Sequence, residues 1–260
     1  MNIILLQREE IHADTVILRD RRAEHIRKIL KSREGDLLRA GIINGPMGSA
    51  RVMSSHGREV TLRLDCRQEP PAKAATALIL ALPRPIMLKR VLAQATAMGV
   101  ERIMLINARR VEKSFFQSSL LSPAGIRTAL LQGLEQAGDT RLPEVSLHPR
   151  FRPFIEDELP PPQHGGPLRL LAHPATVQQH HTFGRSARLE YPVYAATGPK
   201  KATTSEWRQL LAIGPEGGWV DFELDRFYQQ GFRPFSWGPR ILRVDTAVPV
   251  LLAMAEAGIK

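Results

Sequence analysis

Two glycine-rich segments carry the residue types best suited to chemistry on a small ligand. The first, residues 213–218 (IGPEGG), follows an apolar run and precedes a helical pattern that starts at Asp221. Three glycines and a proline predict a tight turn at the carboxyl end of a buried strand, where open α/β sheets bind ligands. Because glycine lacks a side chain, backbone N–H and C=O groups there can approach a ligand closely. The alternative is a turn that only reverses the chain.

The second segment, residues 236–247 (SWGPRILRVDTA), also lies between a predicted strand and a predicted helix. Arg243 and Asp245 are placed at the start of that helix. An arginine there can stabilise developing negative charge. An aspartate can accept a proton or serve purely as a helix cap, and the sequence leaves both roles open.

Other residue types make metal and disulfide chemistry poor interpretations. Cys66 is the only cysteine, which excludes an intrachain disulfide and cysteine-rich zinc sites. His180 and His181 are adjacent and lack a partner at helical spacing, so no metal site is predicted there. We expect Trp207 and Trp219 to pack in the protein rather than stack on nucleic-acid bases.

Together the two segments resemble motifs of the SPOUT methyltransferases. The first is similar to their G-P-E-G-G turn. The second is similar to the G-P-R-I-L-R-x-E-T-A segment of the RsmE family, which methylates N3 of a uridine in 16S ribosomal RNA. Residues 92–100 (LAQATAMGV), 108–113 (ARRVEK) and 135–144 (EQAGDTRLPE) match that family in the same order. The resemblance covers residues 76–257 well and residues 1–70 loosely.

The resemblance implies an α/β fold with two domains. A SPOUT domain with a mostly parallel sheet and a C-terminal trefoil knot is implied for residues 74–260, preceded by a small PUA-like RNA-binding β-barrel at residues 1–70. It also implies S-adenosylmethionine as cofactor, no metal, and a homodimer. The cofactor would lie in loops 172–174, 213–218 and 237–242. The implied cofactor-binding residues are Ala172, His173, Ile213, Gly214, Glu216, Gly217, Gly218, Trp237, Gly238, Ile241 and Leu242.

The same resemblance assigns roles in methyl transfer to uracil N3. The reactive form of uracil is the N3 anion, so we expect Arg243 to stabilise charge on the uracil oxygens. Asp245 or Glu135 is expected to accept the proton, and the choice between these carboxylates is open. The implied partner is 16S ribosomal RNA or the small ribosomal subunit.

Asp245 and Asp139 are two of the positions that depart from the family pattern; residues 83–85 (PRP) and 248–249 (VP) are the others. Asp245 stands where the family usually has glutamate, and Asp139 stands where a basic residue is common. Both departures bear on the target base. They support two alternatives, a SPOUT enzyme that acts on another RNA such as transfer RNA, and an RNA-binding homologue that has lost catalysis.

From residue 76 onward, strand and helix patterns alternate, which is typical of a mostly parallel sheet. Strands are predicted at residues 77–81, 103–106, 168–172 and 210–213. One helix contains Leu88 and is closed by Gly99, and others begin at Pro123 and Thr246, with Pro249 expected in the first turn of the last one. Asp221 is expected to cap a further helix that runs to Gly231. The proline-rich residues 149–167 are predicted to be a loop.

Residues 1–70 show short strands broken by turns, which predicts a small barrel. The strands are expected at residues 16–18, 37–40, 50–52 and 60–64, with one helix at 22–30 and a linker at 70–73. Basic residues cluster around that helix, and their alternative is a solvated helix face. The predicted RNA-binding residues are Arg19, Arg22, Arg27 and Arg141, and Arg21 and Lys28 complete the cluster.

Composition agrees with a nucleic-acid partner. The net charge is +10, from 36 Lys and Arg against 26 Asp and Glu, and it is spread over both halves of the chain. Such a surplus favours polyanions through phosphate contacts. The sequence contains no apolar run that approaches bilayer length and starts without the features of a signal peptide. We therefore expect a cytoplasmic protein.

Overall fold

The computed structural model of the protein describes residues 2–163, 165–173 and 207–258. The chain forms two compact units. The first contains Met1–Pro71 and Arg127–Leu142, and the second contains Ala72–Ile126 and Pro143–Lys260. These units differ from the predicted domains, residues 1–70 and 74–260, by the stretch 127–142, which groups with the first unit. The two domain limits themselves stay a prediction.

The first unit is built on a curled, mixed five-stranded sheet that forms a half-barrel. Its strands have the order β1-β3-β4-β5-β2. Only β1 and β3 run parallel, and the other neighbours are antiparallel. Alternate side chains point inward and fill the core, among them Leu6, Val16, Leu18 and Leu62. The strands are β1 (Ile4–Leu6), β2 (Thr15–Leu18), β3 (Leu37–Ile42), β4 (Met47–His56) and β5 (Glu59–Gln68).

The predicted helix of the first unit is present. The α-helical turn α1 (Arg21–Glu24) continues into a π-helical turn, His25–Leu30. The Asp20 carboxylate caps α1 by accepting the Arg22 backbone N–H at 2.9 Å, which satisfies one of the free donors at a helix start. Ile26 is fully buried and fixes this helix on the sheet.

Part of a long helix packs into the same unit. Helix α3 is Pro123–Ala137, and its residue Leu134 joins Ile3, Leu5 and Met47 in a second small core. The backbone N–H of Asn2 donates to the carbonyl of Glu135 at 2.8 Å. Apolar burial and this backbone bond explain why the second half of α3 belongs to the first unit.

The second unit contains a six-stranded sheet of order β11-β9-β10-β6-β7-β8. All its strand pairs are parallel, as predicted from the alternation of strands and helices. Strand β6 is buried along its whole length, which is normal for the centre of a parallel sheet. The strands are β6 (Thr76–Ala81), β7 (Arg102–Ile106), β8 (Glu144–His148), β9 (Leu168–Ala172), β10 (Gln209–Ile213) and β11 (Arg233–Phe235).

The helices of the second unit confirm the main periodic patterns. Helix α2 is Pro85–Ala97, with Pro85 at the first helical position, where its missing N–H is tolerated. It packs against α6, Val244–Glu256. Helix α5 is Asp221–Gln229. Val220 is the residue that precedes α5, and its backbone N–H donates to Glu223 at 3.0 Å, so Asp221 is the first helical residue and not the cap.

Two further expectations were wrong. Helix α6 begins two residues earlier than predicted, so Pro249 lies inside the helix and not in its first turn. The stretch 149–167 is not entirely a loop, because the short helix α4 (Phe151–Pro153) and a π-helical turn (Phe154–Glu158) lie within it. Phe154 is buried, and this burial explains the added order.

Candidate active site

A cavity of about 560 Å³ lies at the carboxyl ends of β9, β10 and β11. Both glycine-rich segments and the start of α6 contribute to its wall. Its position agrees with the general rule for ligand sites in open α/β sheets. Ten of the eleven predicted cofactor-binding residues line it, namely Ala172, His173, Ile213, Gly214, Glu216, Gly217, Gly218, Trp237, Ile241 and Leu242, whereas Gly238 does not.

The turn at residues 214–218 is shaped by an indole ring. The Trp219 Nε1–H donates to the Ala172 carbonyl at 3.2 Å and so joins the loop after β10 to the end of β9. A Cβ atom on Gly214 would lie 3.0 Å from that ring, so the ring excludes a side chain. Gly218 has a φ of +75°, which favours glycine. Trp219 therefore packs within the protein, as predicted.

An arginine from another loop holds the same turn. A guanidinium N–H of Arg110 donates to the carbonyl of Gly217. A Cβ on Gly217 would lie 3.0 Å from the Arg110 Cδ. The neighbouring Arg109 donates its backbone N–H to the buried Glu223 at 2.6 Å. The missing side chain at Gly217 thus makes room for Arg110, a role that the turn motif did not predict.

His173 contributes an imidazole ring to the cavity wall. Its Nδ1 is buried and makes no hydrogen bond within the described part of the chain. Burial lowers the pKa of His173, and the nearby negative charge of Asp221 opposes this effect only in part. A neutral ring with one free nitrogen is available to a polar group in the cavity. Pro174, the end of the first predicted loop, lies outside the described residues, as do His180 and His181.

The second glycine-rich segment forms the outer wall. Gly238 has a φ of +137°, and the Ser236 hydroxyl accepts its N–H at 3.1 Å. Two large side chains of this segment are exposed, Trp237 at 55% and Ile241 at 82%. Apolar surface that faces a cavity in this way is typical of small-molecule sites.

Arg243 and Asp245 lie at the start of α6, as predicted, but neither caps it with a side chain. The Arg243 backbone carbonyl accepts the Ala247 N–H at 2.7 Å, while its side chain is 79% exposed and lines the cavity. Asp245 is the second residue of α6, so a role purely as an N-cap is wrong. Its carboxylate accepts a hydrogen bond from Arg90 at 2.8 Å.

Glu135, the other candidate base, belongs to the first unit. Its carboxylate accepts two hydrogen bonds from the Arg21 guanidinium, one of them at 3.1 Å, and its side chain is only 9% exposed. The bond to Glu135 raises the pKa of Arg21 against the effect of burial. A bidentate ion pair of this kind fixes the orientation of both side chains.

The predicted RNA-binding arginines differ in exposure. Arg19 is 66% exposed and pairs with Glu59, Arg27 donates to the Gly57 carbonyl, and Arg141 contacts Glu69 at 3.4 Å.

Arg22 is the exception in that set. Its side chain is 12% exposed and lies between Glu10 and Asp20. Burial opposes its charge, but the hydrogen bonds to both carboxylates outweigh burial and raise the pKa of Arg22. We therefore remove Arg22 from the RNA-contacting set and assign it a structural role.

The described ranges contain neither a metal-binding cluster nor a membrane-spanning helix. No group of three or more His, Cys, Asp or Glu among those residues has the geometry to hold a metal ion. No helix within them is long and apolar enough to cross a membrane.

Comparison with known proteins identifies the class first. The family model of the RNA methyltransferase domain matches residues 70–256, the stretch that contains the parallel sheet and its cavity. The chain belongs to this family.

More specific relatives define the family further. The chain is 33% identical over 267 residues to the ribosomal RNA small subunit methyltransferase E of Treponema pallidum, over 99% of this chain and 92% of the relative. It is 23% identical to the ribosomal RNA small subunit methyltransferase E 1 of Borreliella burgdorferi, over 95% of this chain and 94% of the relative. The chain thus belongs to the ribosomal RNA small subunit methyltransferase E family, which confirms the predicted resemblance.

A solved structure supports the fold. The ribosomal RNA small subunit methyltransferase E of Neisseria gonorrhoeae, bound to S-adenosyl methionine, superposes with a TM-score of 0.67 at 17% identity, over 99% of this chain and 97% of that one. The combination of a PUA-like half-barrel and a SPOUT-type sheet is confirmed.

Proposed function

We propose that the protein transfers a methyl group from S-adenosylmethionine to N3 of a uridine in 16S ribosomal RNA. The observation that carries this proposal is a single cavity lined by both glycine-rich segments, with Arg243 at its wall. Family membership supplies the substrate class, since the relatives are named for the RNA of the small ribosomal subunit.

The cavity fits the cofactor in size and chemistry. Its volume of about 560 Å³ lies within the range of about 300–1,000 Å³ typical of small-molecule sites. Met87, Leu242 and Leu251 provide apolar wall. The buried Nδ1 of His173 has no hydrogen-bond partner among the described residues, and a polar group of a bound nucleoside would supply one.

The chain's own residues divide the remaining work. When bound, S-adenosylmethionine supplies an electrophilic methyl carbon. Arg110 and Trp219 hold the turn at residues 214–218, and a fixed turn orients the reactants with little further loss of entropy. Arg243 stabilises the negative charge that develops on the uracil oxygens. The sequence predicts that Asp245 or Glu135 accepts the N3 proton.

RNA binding is assigned to the first unit. Arg19, Arg27 and Arg141 offer positive charge to the phosphate backbone.

We further propose that the protein acts in the cytoplasm, that it forms a homodimer, and that the second unit contains the trefoil knot. Size-exclusion chromatography with light scattering tests the dimer, which should elute at twice the chain mass of 29.1 kDa.

The experiment that tests the function is methyl transfer in vitro. Purified protein, labelled S-adenosylmethionine and unmodified small subunits are combined, and the RNA is digested to nucleosides. We expect label in 3-methyluridine from 16S RNA and none when transfer RNA replaces the subunits. Label in transfer RNA would favour the first alternative, and cofactor binding without any transfer would favour the catalytically inactive homologue.

A further inference from the structure

An ion pair joins two helices directly behind Arg243. Arg90 on α2 donates a hydrogen bond to the Oδ2 atom of Asp245 on α6 at 2.8 Å, across 155 positions of the sequence. The Asp245 side chain is 12% exposed and that of Arg90 is 57% exposed. Because one oxygen is held by a cation on a neighbouring helix, the Asp245 carboxylate has a fixed orientation.

The second oxygen of Asp245 is the unusual feature. Its Oδ1 is buried and accepts no hydrogen bond from any described residue, although buried polar atoms are nearly always satisfied. The Nε atom of Arg243 lies 3.9 Å from this oxygen. That distance is too long for a hydrogen bond but short enough for attraction, so a small movement of Arg243 would complete the contact.

The position of Asp245 relative to the cavity distinguishes its possible roles. Arg243, Val244 and Ala247 line the cavity, whereas Asp245 does not. A general base must come within hydrogen-bond reach of the proton it removes, directly or through one water. A carboxylate placed behind the wall is better suited to orient the wall residue that it contacts.

We infer that Arg90 and Asp245 form a positioning pair for Arg243, and that Asp245 does not accept the N3 proton. Arg90 holds Oδ2, which leaves Oδ1 to draw the exposed Arg243 side chain into one orientation at the cavity. Neither member of the pair contacts the reacting atoms. This inference rests on the proposed methyl transfer, because Arg243 needs a fixed orientation only if charge develops in the cavity.

Single substitutions on α2 test the pair. In single-turnover methylation of small subunits, Arg90→Ala should lower the rate by up to about 100-fold, since small misplacements of a charged group can cost that much. Cofactor affinity by calorimetry should not change. Arg90→Lys, which keeps a cation, should recover much of the rate, and the exposed neighbour Lys89→Ala is the matched control. An unchanged Arg90→Ala rate would overturn the inference.

A second set of variants, made in the Arg243→Ala protein, separates a positioning role of Asp245 from proton transfer. In the Arg243→Ala protein, adding Arg90→Ala or Asp245→Asn should have no further effect, because residues that act as a unit are not additive. If Asp245 were the base, Asp245→Asn would still slow the reaction in that background and would recover as pH rises. That result overturns the inference.

The wild-type protein distinguishes this inference from the function on which it depends. If wild-type protein forms no 3-methyluridine, the proposed function is wrong and the inference fails with it. If wild-type turnover is normal and Arg90→Ala matches it, the inference alone is wrong.

Discussion

Arg243 is the residue on which the proposed chemistry depends most. Its backbone carbonyl starts α6, so its position is fixed by the helix, while its side chain remains exposed at the cavity. A residue whose backbone is anchored and whose guanidinium extends to the cavity can meet charge that develops on a bound base. The structure therefore separates placement, a backbone property, from charge stabilisation, a side-chain property.

We predict that Arg243→Ala loses turnover and keeps cofactor affinity. Loss of one preorganised charge contact typically lowers the rate by about 10²–10³, whereas the glycine-rich turn that shapes the cofactor cavity is untouched. Single-turnover methylation gives the rate, and calorimetry with S-adenosylmethionine gives the affinity. Arg240→Ala, at another exposed arginine of the same wall, is the matched control. Equal losses in both variants would contradict a specific role.

His173 gives the site a predictable response to acid. Because burial lowers its pKa below the ordinary 6.5, the unfolded chain takes up this proton at a higher pH than the folded chain does. The contribution of His173 to the free energy of unfolding is therefore fully present above pH 6.5 and is lost as the pH falls below that value. We predict that His173→Gln loses less stability between pH 7 and pH 5 than wild type, as measured by urea unfolding. Parallel pH curves would contradict this.

At the scale of elements, the turn after β10 depends on partners from distant loops. Arg110 binds the Gly217 carbonyl, and Trp219 reaches the end of β9. A glycine turn alone can adopt many conformations, so these two contacts select one of them. The cavity is preorganised by elements that are far apart in the sequence.

We predict that Arg110→Ala weakens binding of S-adenosylmethionine by about tenfold. The change removes a charge-assisted hydrogen bond, worth about 1.5–3 kcal/mol, of which only part is transmitted to the ligand. The rate with saturating cofactor should change much less, since Arg110 is not a lining residue. Calorimetry gives the affinity, with Arg109→Ala as the control, because Arg109 contacts Glu223 through its backbone. Unchanged affinity in Arg110→Ala would show that residues 214–218 keep their conformation without Arg110.

Local signals explain which elements the sequence could predict. The glycine turn, the buried run of β6 and the periodicity of α2 each depend on neighbouring residues, and each was placed correctly. Strand β8 was missed because its residues are only partly buried, which weakens the apolar signal. The start of α6 was misplaced because the Arg243 carbonyl extends the helix by two residues.

The contacts that complete the site had no local signal. The pair Arg90–Asp245 spans 155 positions and Arg110–Gly217 spans 107. Their place at a predicted helix start and the family resemblance identified Arg243 and Asp245 as candidates, but only the packing of α2 on α6 shows what Asp245 contacts. The burial of Arg22 was hidden in the same way, since a basic cluster looks alike in sequence whether its members are exposed or paired.

At the scale of the molecule, we assign RNA binding to particular arginines within the overall excess of positive charge. We predict that Arg19→Gln with Arg27→Gln weakens binding to 16S RNA and reduces its salt dependence. Each lost phosphate contact should lower the slope of log affinity against log salt by about 1. Filter binding over a salt series measures the slope. Arg63→Gln with Arg67→Gln, on β5 of the first unit, removes the same number of charges and is the control. A slope equal to wild type in the Arg19 and Arg27 double variant would contradict the assignment.

Arg22→Gln should act differently, through folding. It would leave Glu10 and Asp20 without their shared cation, and because these carboxylates are partly exposed, the cost should be about 1 kcal/mol, at the lower end for a lost charged hydrogen bond. We predict a lower free energy of unfolding in urea, with an unchanged salt slope for the protein that remains folded. An unchanged free energy of unfolding together with a reduced salt slope of RNA binding would show that Arg22 contacts the RNA.

The central claim is uridine N3 methylation of small-subunit ribosomal RNA. The most direct measurement is mass spectrometry of nucleosides from 16S RNA of a strain that lacks this protein, with complementation by wild type or by Arg243→Ala. We predict that 3-methyluridine disappears from 16S RNA in the deletion strain, returns with the wild-type protein, and does not return with Arg243→Ala. Retention of 3-methyluridine in the deletion strain would contradict the account.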